Sequence, residues 1–269
     1  MAPDSSVLAL DAVTGGYGGA EILHGVSVRV DPAEVVVLIG PNGAGKSSVM
    51  NAVLGRLRID GGGVRLAGRD ITGAPPEQVV RQGVCYVPQT ENVFPNLSVN
   101  ENLEMGAYIR TDDFRPRIEE MYELFPPLAE RRRAPAGTLS GGQRQMVAIA
   151  KALMVDPVIL LLDEPTAGLS PRFRGDIFRV VREINARGTP ILMVEQNARQ
   201  ALGIADRGYV LVDGRNRLEG PGAGLLADPD VGAMFLGGGG ESPTGAPADG
   251  AGAEPDAAAS ARNRDTSRR

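Results

Sequence analysis

Five consecutive apolar residues, Val35–Ile39, run straight into Gly40-Pro41-Asn42-Gly43-Ala44-Gly45-Lys46-Ser47, and an amphipathic segment follows. This order places a buried strand, a glycine-rich loop and a helix start in direct succession. Glycines let successive backbone N–H groups turn inward, and the helix start adds the positive end of its dipole, so the loop is a cradle for phosphate. Lys46 is spaced to reach terminal phosphates and Ser47 to offer a hydroxyl to magnesium. The candidate contacts are Gly40, Asn42, Gly43, Ala44, Gly45, Lys46, Ser47 and the adjoining Ser48. The chain holds only two lysines, Lys46 and Lys151, so the motif does not arise from a lysine-rich composition.

A second apolar run, residues 158–162, ends in the adjacent carboxylates Asp163 and Glu164. Alone, such a run reads as an ordinary strand entering a loop. Coupled to a phosphate cradle it gains chemistry: Asp163 at the strand tip can hold magnesium, and Glu164 can polarise a water that attacks a phosphate. A third element, Leu139-Ser140-Gly141-Gly142-Gln143, precedes residues 145–154, where Met146, Ile149, Ala150 and Leu153 form one apolar face at helical spacing. Ser140 reads as an N-cap, and the small residues with their N–H groups also read as a second anion site.

Composition removes other chemistries. One cysteine, Cys85, excludes an internal disulfide and a multi-thiolate metal site, and one histidine, His24, excludes histidine-clustered metals and disfavours a histidine triad. His24, in Ile22-Leu23-His24-Gly25-Val26, reads as a structural residue entering a strand. A net charge of -5 argues against wrapping nucleic acid. The longest apolar runs hold far fewer than the roughly 18 residues of a membrane helix, and no basic-then-apolar leader is visible at residue 1, so a soluble cytoplasmic protein is expected.

Apolar runs alternate with amphipathic segments through residues 1–237, the pattern of an α/β domain. Strands are expected at Val35–Ile39, Val84–Val87, 158–162, 190–194 and 209–212, the first and third covered on both faces as in a parallel sheet. Half-polar strands at 8–13, 26–30 and 64–67, the last after a turn at Gly61, Gly62 and Gly63, suggest a small antiparallel layer. Helices at 99–108 and 117–125 lie in a charged stretch that reads as an inserted helical subdomain, about 97–154 with the helix after Ser140. Residues 238–269 contain no aliphatic side chain larger than alanine and no aromatic, and are expected to be a disordered tail.

A phosphate loop, then Leu-Ser-Gly-Gly-Gln, then an apolar strand ending Asp-Glu, resembles the nucleotide-binding subunit of an ATP-binding cassette (ABC) transporter over residues 7–237. The resemblance implies an α/β P-loop NTPase (RecA-like) core with an antiparallel β subdomain and an inserted α-helical subdomain, and ATP and Mg2+ as cofactors. It implies that Gln89 contacts magnesium and reports nucleotide state, that Tyr17 stacks on adenine, and that Gly168-Leu169-Ser170 communicates between two sites. Without it, Gln89 is a polar strand end and Tyr17 an exposed ring in a glycine turn. Ser140, Gly141, Gly142 and Gln143 would close on ATP held by the phosphate loop of a second, head-to-tail domain.

One position departs from the pattern. Where most of the superfamily has a histidine that contacts the γ-phosphate, this chain reads Glu195-Gln196-Asn197, so Gln196 takes the place. An amide N–H can still bond a phosphate oxygen and orient water, but it carries no charge. Val194-Glu195-Gln196-Asn197-Ala198, Val87-Pro88-Gln89, residues 93–99 and Asp206-Arg207-Gly208-Tyr209 closely resemble the smaller ATPase subunit of branched-chain amino acid importers. That implies integral membrane permease subunits and a second ATP-binding subunit as partners, a solute-binding protein indirectly, and a place at the cytoplasmic face of the cell membrane. Catalysis would rest on Glu164, Gln196 and Lys46, and the metal on Ser47, Gln89 and Asp163. A urea or other amide importer is built on a similar pattern. Rival classes are a soluble ABC protein acting on ribosomes or DNA, and a nucleotide-gated interaction module without useful turnover.

Overall fold

The computed structural model describes residues 6–90 and 92–235. The expected tail, residues 238–269, lies outside the described residues. The chain opens with a hairpin of β1 (Leu8–Tyr17) and β2 (Ala20–Val30). Then come β3 (Val35–Ile39), α1 (Lys46–Val53), β4 (Arg58–Leu66), β5 (Arg69–Asp70), α2 (Pro76–Arg81) and β6 (Val84–Val87). Four helices follow: α3 (Val99–Gly106), α4 (Arg115–Leu124), α5 (Pro126–Ala129) and α6 (Gly141–Leu153). The rest alternates β7 (Ile159–Asp163), α7 (Pro171–Ala186), β8 (Ile191–Val194), α8 (Ala198–Ile204) and β9 (Arg207–Val212), and ends in β10 (Arg215–Pro221), α9 (Gly222–Ala227) and α10 (Pro229–Phe235).

Two sheets form. One is antiparallel with strand order β2-β1-β4-β5; the other runs β10-β9-β3-β8-β7-β6 and is parallel except for the β9–β10 pair. Because successive strand side chains point to opposite faces, β3 feeds two cores. Val36 and Leu38 pack with Leu8, Val26 and Met50 under the antiparallel sheet and α1. Val35, Val37 and Ile39 face the helices instead, with Leu103, Tyr122, Ile149 and Ile177. Each fully buried Leu or Ile contributes about 1.5–3 kcal/mol of transfer free energy, and this two-sided burial holds β3 and the loop that leaves it in the middle of the molecule.

The antiparallel layer, the parallel strands and the helical stretch stand where the sequence pattern expects them, with four differences. Gly61, Gly62 and Gly63 make no turn; they lie inside β4, against β1. Gly62 has φ 75°, and a Cβ there would sit 2.3 Å from the Asp11 carbonyl oxygen, so glycine is what lets β4 close on β1 at its register shift. Likewise Gly15 and Gly16 extend β1, and the turn is Gly18-Gly19. Strand β10 carries no continuous apolar run because only alternate residues are half-buried at the sheet edge. Helix bounds differ by a turn or less: α3 stops at Gly106 and α4 starts at Arg115. His24 sits in β2 with Nδ1 2.8 Å from Glu21 Oε1.

Candidate functional site

The site lies at the carboxyl ends of β3, β7 and β8, which are neighbours in the parallel sheet. Their registers align Leu38 with Val194, and Val194 with Asp163. From β3 the chain enters the glycine loop, in which Gly43 and Gly45 hold φ of 82° and 97°, left-handed values that favour glycine. Gly45 is the N-cap of α1 and provides no side-chain cap, so the first-turn N–H groups of α1 keep their capacity for an anion. Ala44 and Gly45 are buried, whereas Asn42, Gly43 and Ser47 are exposed toward the loop mouth; Ser48 turns inward.

Lys46 is only 6% exposed, and its Nζ donates to the carbonyls of Gly40 at 2.8 Å and Pro41 at 2.9 Å. Burial lowers its pKa, and the carboxylates of Glu164 and Asp163 oppose that shift. Both carboxylates act on Lys46 although they stand well over a hundred residues away in sequence. Asp163 is buried at the tip of β7, and its Oδ2 accepts from Tyr86 Oη at 3.0 Å. Desolvation pushes its carboxyl up, against the hydrogen bond from Tyr86 and the charge of Lys46.

Glu164, the first residue past β7, has φ 45°, a left-handed value uncommon for a side chain of this size. Its N–H donates to the Val194 carbonyl at 2.9 Å, and its Oε2 accepts from Gln89 Nε2 at 2.9 Å. Gln196 Nε2 donates to Asn42 Oδ1 at 3.1 Å, joining the loop after β8 to the phosphate loop. Tyr17 is 43% exposed at the end of β1, with its hydroxyl accepting from Asn51 Nδ2 of α1 at 2.8 Å. Its ring thus stands beside the helix that leaves the phosphate loop.

Lys46, Asp163, Glu164 and Gln89 therefore gather through a direct bond or mutual charge, and Gln196 is tied to Asn42 of the same phosphate loop. The Ser140 element does not join them in this chain. Ser140 and Gln143 form a reciprocal capping box, Gly141 and Gly142 pack near Leu169 and Phe173, and no hydrogen bond among the described residues links them to the phosphate loop. Two residues that the motifs did not reveal belong to the cluster. Tyr86 is identifiable only from the β6–β7 register, Tyr86 opposite Leu161. Glu195, beside Gln196, is buried at 2% exposure, and burial pushes its carboxyl up.

A phosphate cradle on a strand-loop-helix unit, with a carboxylate pair at the tip of a strand one place removed in the same parallel sheet, defines a P-loop nucleoside triphosphatase. The family described as ABC transporter matches residues 23–167, and the chain belongs to it: it is an ABC-type transport ATPase. The BraG protein of Pseudomonas aeruginosa, a high-affinity branched-chain amino acid transport ATP-binding protein, is 43% identical over 86% of this chain and all of its own length. The probable branched-chain amino acid transport protein LivF of Archaeoglobus fulgidus is 41% identical over 78% of this chain and 90% of its own. The lipopolysaccharide export protein LptB of Acidithiobacillus ferridurans is 37% identical over 87% of this chain and 98% of its own. Among solved structures, the ADP conformation of an ABC transporter cassette superposes with a TM-score of 0.77 at 30% identity, covering 87% of this chain and all of that one. A dimeric, post-hydrolysis cassette bound to ADP and phosphate gives 0.70 at 27% identity, over 80% of this chain and 98% of that one.

ATP-binding subunits of this family bind ATP, dimerise and work with membrane permease subunits. Among the described residues no helix is long and apolar enough to cross a membrane.

Proposed function

We propose that this chain is the ATPase subunit of an importer for branched-chain amino acids, docked at the cytoplasmic face of the membrane. The observation that carries the solute assignment is the 43% identity to the Pseudomonas aeruginosa protein across that relative's full length. Likeness to a lipopolysaccharide export subunit is lower, at 37%, over a similar share of the chain, 87%. The Glu195-Gln196-Asn197 sequence further supports an amino acid or amide importer.

In this reading the first-turn N–H groups of α1 and Lys46 hold the terminal phosphates of ATP, with Tyr17 against the base. Lys46 exchanges its two loop carbonyls for phosphate oxygens, and the nearby carboxylates oppose the lowering of its pKa by burial. Glu164 takes the proton of the attacking water, oriented by Gln89 through the 2.9 Å bond, and Gln196 donates an amide N–H to the γ-phosphate. The oxygen set of Ser47, Asp163 and the Gln89 amide suits Mg2+, a hard cation that keeps a small number of protein ligands beside phosphate oxygens. Bound there, it would neutralise charge on the transferring phosphate. The Ser140 box serves the opposite site of a head-to-tail dimer.

The transmitted motion needs a place to act. A groove of about 460 Å³ lies beside residues 93–99, lined by Leu54, Tyr86, Phe94, Met105, Tyr108 and Ile109, four of which are exposed large apolar side chains. Asn102 is fully buried under this wall, accepting from the Phe94 N–H and donating to the carbonyls of Phe94, Leu97 and Ser98. A short cytoplasmic helix of the permease fits such a groove.

The test is labelled uptake in cells lacking this protein, complemented with wild type or Glu164→Gln and offered leucine, isoleucine, valine and urea. Leucine-family uptake restored by wild type alone is the expected result. Urea uptake alone, or no uptake, overturns the solute assignment.

A further inference from the structure

Glu195 has no role in the scheme above, yet it is among the most deeply buried ionisable side chains of the molecule. Its Oε1 accepts from the Thr166 N–H at 3.0 Å, and its Oε2 faces the Asn197 N–H at 3.4 Å. Its own N–H donates to the Leu38 carbonyl at 3.2 Å, one residue before β3 ends. Thr166 is itself buried and lies two residues past Glu164. The residue before Glu195, Val194, holds the Glu164 N–H. The pair Val194-Glu195 therefore grips the strained Glu164 backbone on both sides.

The chemistry of the side chain matters. Two backbone N–H groups, one from each loop, are met here by the two different oxygens of the carboxylate, which carries no donor of its own. Glutamine has one acceptor oxygen, and its NH2 would meet a second N–H head on. Burying a carboxylate is unfavourable unless such bonds offset the loss of water, so an apolar or amide residue would be the cheaper choice if only packing were required.

We propose that Glu195 is a positioning residue that locks the loop 164–169 to the loop 195–197, so that Glu164 and Gln196 are set as one unit. A shift of Gln196 on gaining or losing its phosphate contact is thereby carried to Thr166 and on to Gly168-Leu169-Ser170. Both loops border a single polar cavity of about 580 Å³, which they line with Glu164, Thr166, Gly168, Glu195 and Gln196. The inference rests on the roles of Glu164 and Gln196 proposed above.

Purified full-length protein is compared as wild type, Glu195→Gln, Gln196→Ala, the double variant and Glu164→Gln. For Glu195→Gln, kcat should fall on the order of 10–100-fold, as small misplacements of catalytic groups produce, with KM for ATP within about two-fold. Hydrogen exchange at residues 164–169 should quicken while the remaining core keeps its protection. The double variant should be no slower than about two-fold below the slower single variant, because both changes break one unit. An Glu195→Gln protein that turns over within about two-fold of wild type overturns the proposal, as do fully multiplicative losses in the double variant. Glu164→Gln separates the two readings. If it still hydrolyses ATP, the catalytic assignment fails; if it is inactive while Glu195→Gln is normal, only the positioning role fails.

Discussion

Asp163 is a carboxylate that the fold holds against its own preference: burial raises its pKa, and Tyr86 and Lys46 recover part of that loss. Ionising it in the folded chain is therefore harder than in the unfolded one. The sign follows: its unfavourable contribution is absent at low pH and grows as pH rises from the unfolded value through the raised folded value. Asp163→Asn should keep the acceptor for Tyr86, remove the buried charge and be more stable than wild type at pH 8, a difference that shrinks toward pH 4. Hydrolysis should fall at least about 100-fold at the same time. Thermal unfolding at the two pH values, paired with a phosphate-release assay, checks both halves. Gln196 allows a second test at this scale. An amide does not titrate, so Gln196→His should add a pH-dependent limb to kcat with a midpoint near about 6.5, as the ring gains charge beside the γ-phosphate. The ratio of variant to wild-type kcat from pH 5.5 to 8.5 shows this directly; a flat ratio would place residue 196 away from the phosphate.

Among the elements, α6 shows how a motif can serve the fold and the site together. Its start is fixed by Ser140 Oγ accepting from the Gln143 N–H at 3.3 Å and by Gln143 Oε1 accepting from the Ser140 N–H at 3.1 Å. Ser140→Ala should cost about 1 kcal/mol by losing the cap. Gly142→Ala should cost more, about 1–3 kcal/mol, because a Cβ there would lie 2.4 Å from the Phe173 ring and would push α7 away. Urea unfolding of the two variants gives the ranking, and Gly142→Ala matching wild type would remove the steric argument. These elements also show what a sequence can and cannot reveal. The phosphate loop, the Asp163-Glu164 strand and the Ser140 cap were legible because each is local: backbone geometry and chemistry lie within about eight residues. Tyr86, Glu195 and the Asn42–Gln196 bond were not, because each depends on which strands become neighbours, and β3, β8 and β7 are brought together only by the crossovers through α6 and α7. Strand β10 was hidden for a different reason: an edge strand buries half of each alternate residue and leaves no apolar run. The glycines at 61–63 misled because a glycine cluster marks close backbone approach within a sheet as readily as a turn.

At the scale of the whole molecule, the division of the site dictates how the protein must act. One chain gathers Lys46, Asp163, Glu164, Gln89 and Gln196, while its Ser140 box bonds only within itself and against α7. A single copy can thus cradle phosphate on one side only. In the proposed head-to-tail reading, a second cassette completes the enclosure, its Ser140 helix start presenting its N–H groups to the same nucleotide. On that proposal ATP would act as the contact between two surfaces, and its cleavage would remove part of that contact, converting hydrolysis into separation of the two cassettes. The prediction is specific to the variant that binds but does not cleave. Glu164→Gln should be monomeric without nucleotide and form a dimer with ATP and Mg2+ that persists through size-exclusion chromatography with light scattering, while ADP leaves it monomeric. Adding Ser140→Arg to Glu164→Gln places a bulky side chain at the junction and should abolish the ATP-dependent dimer while ATP still binds in a filter assay. If the double variant dimerises as well as Glu164→Gln, the Ser140 surface is not the one that closes on the nucleotide. The head-to-tail arrangement would then be wrong even with the phosphate loop and its carboxylates assigned correctly.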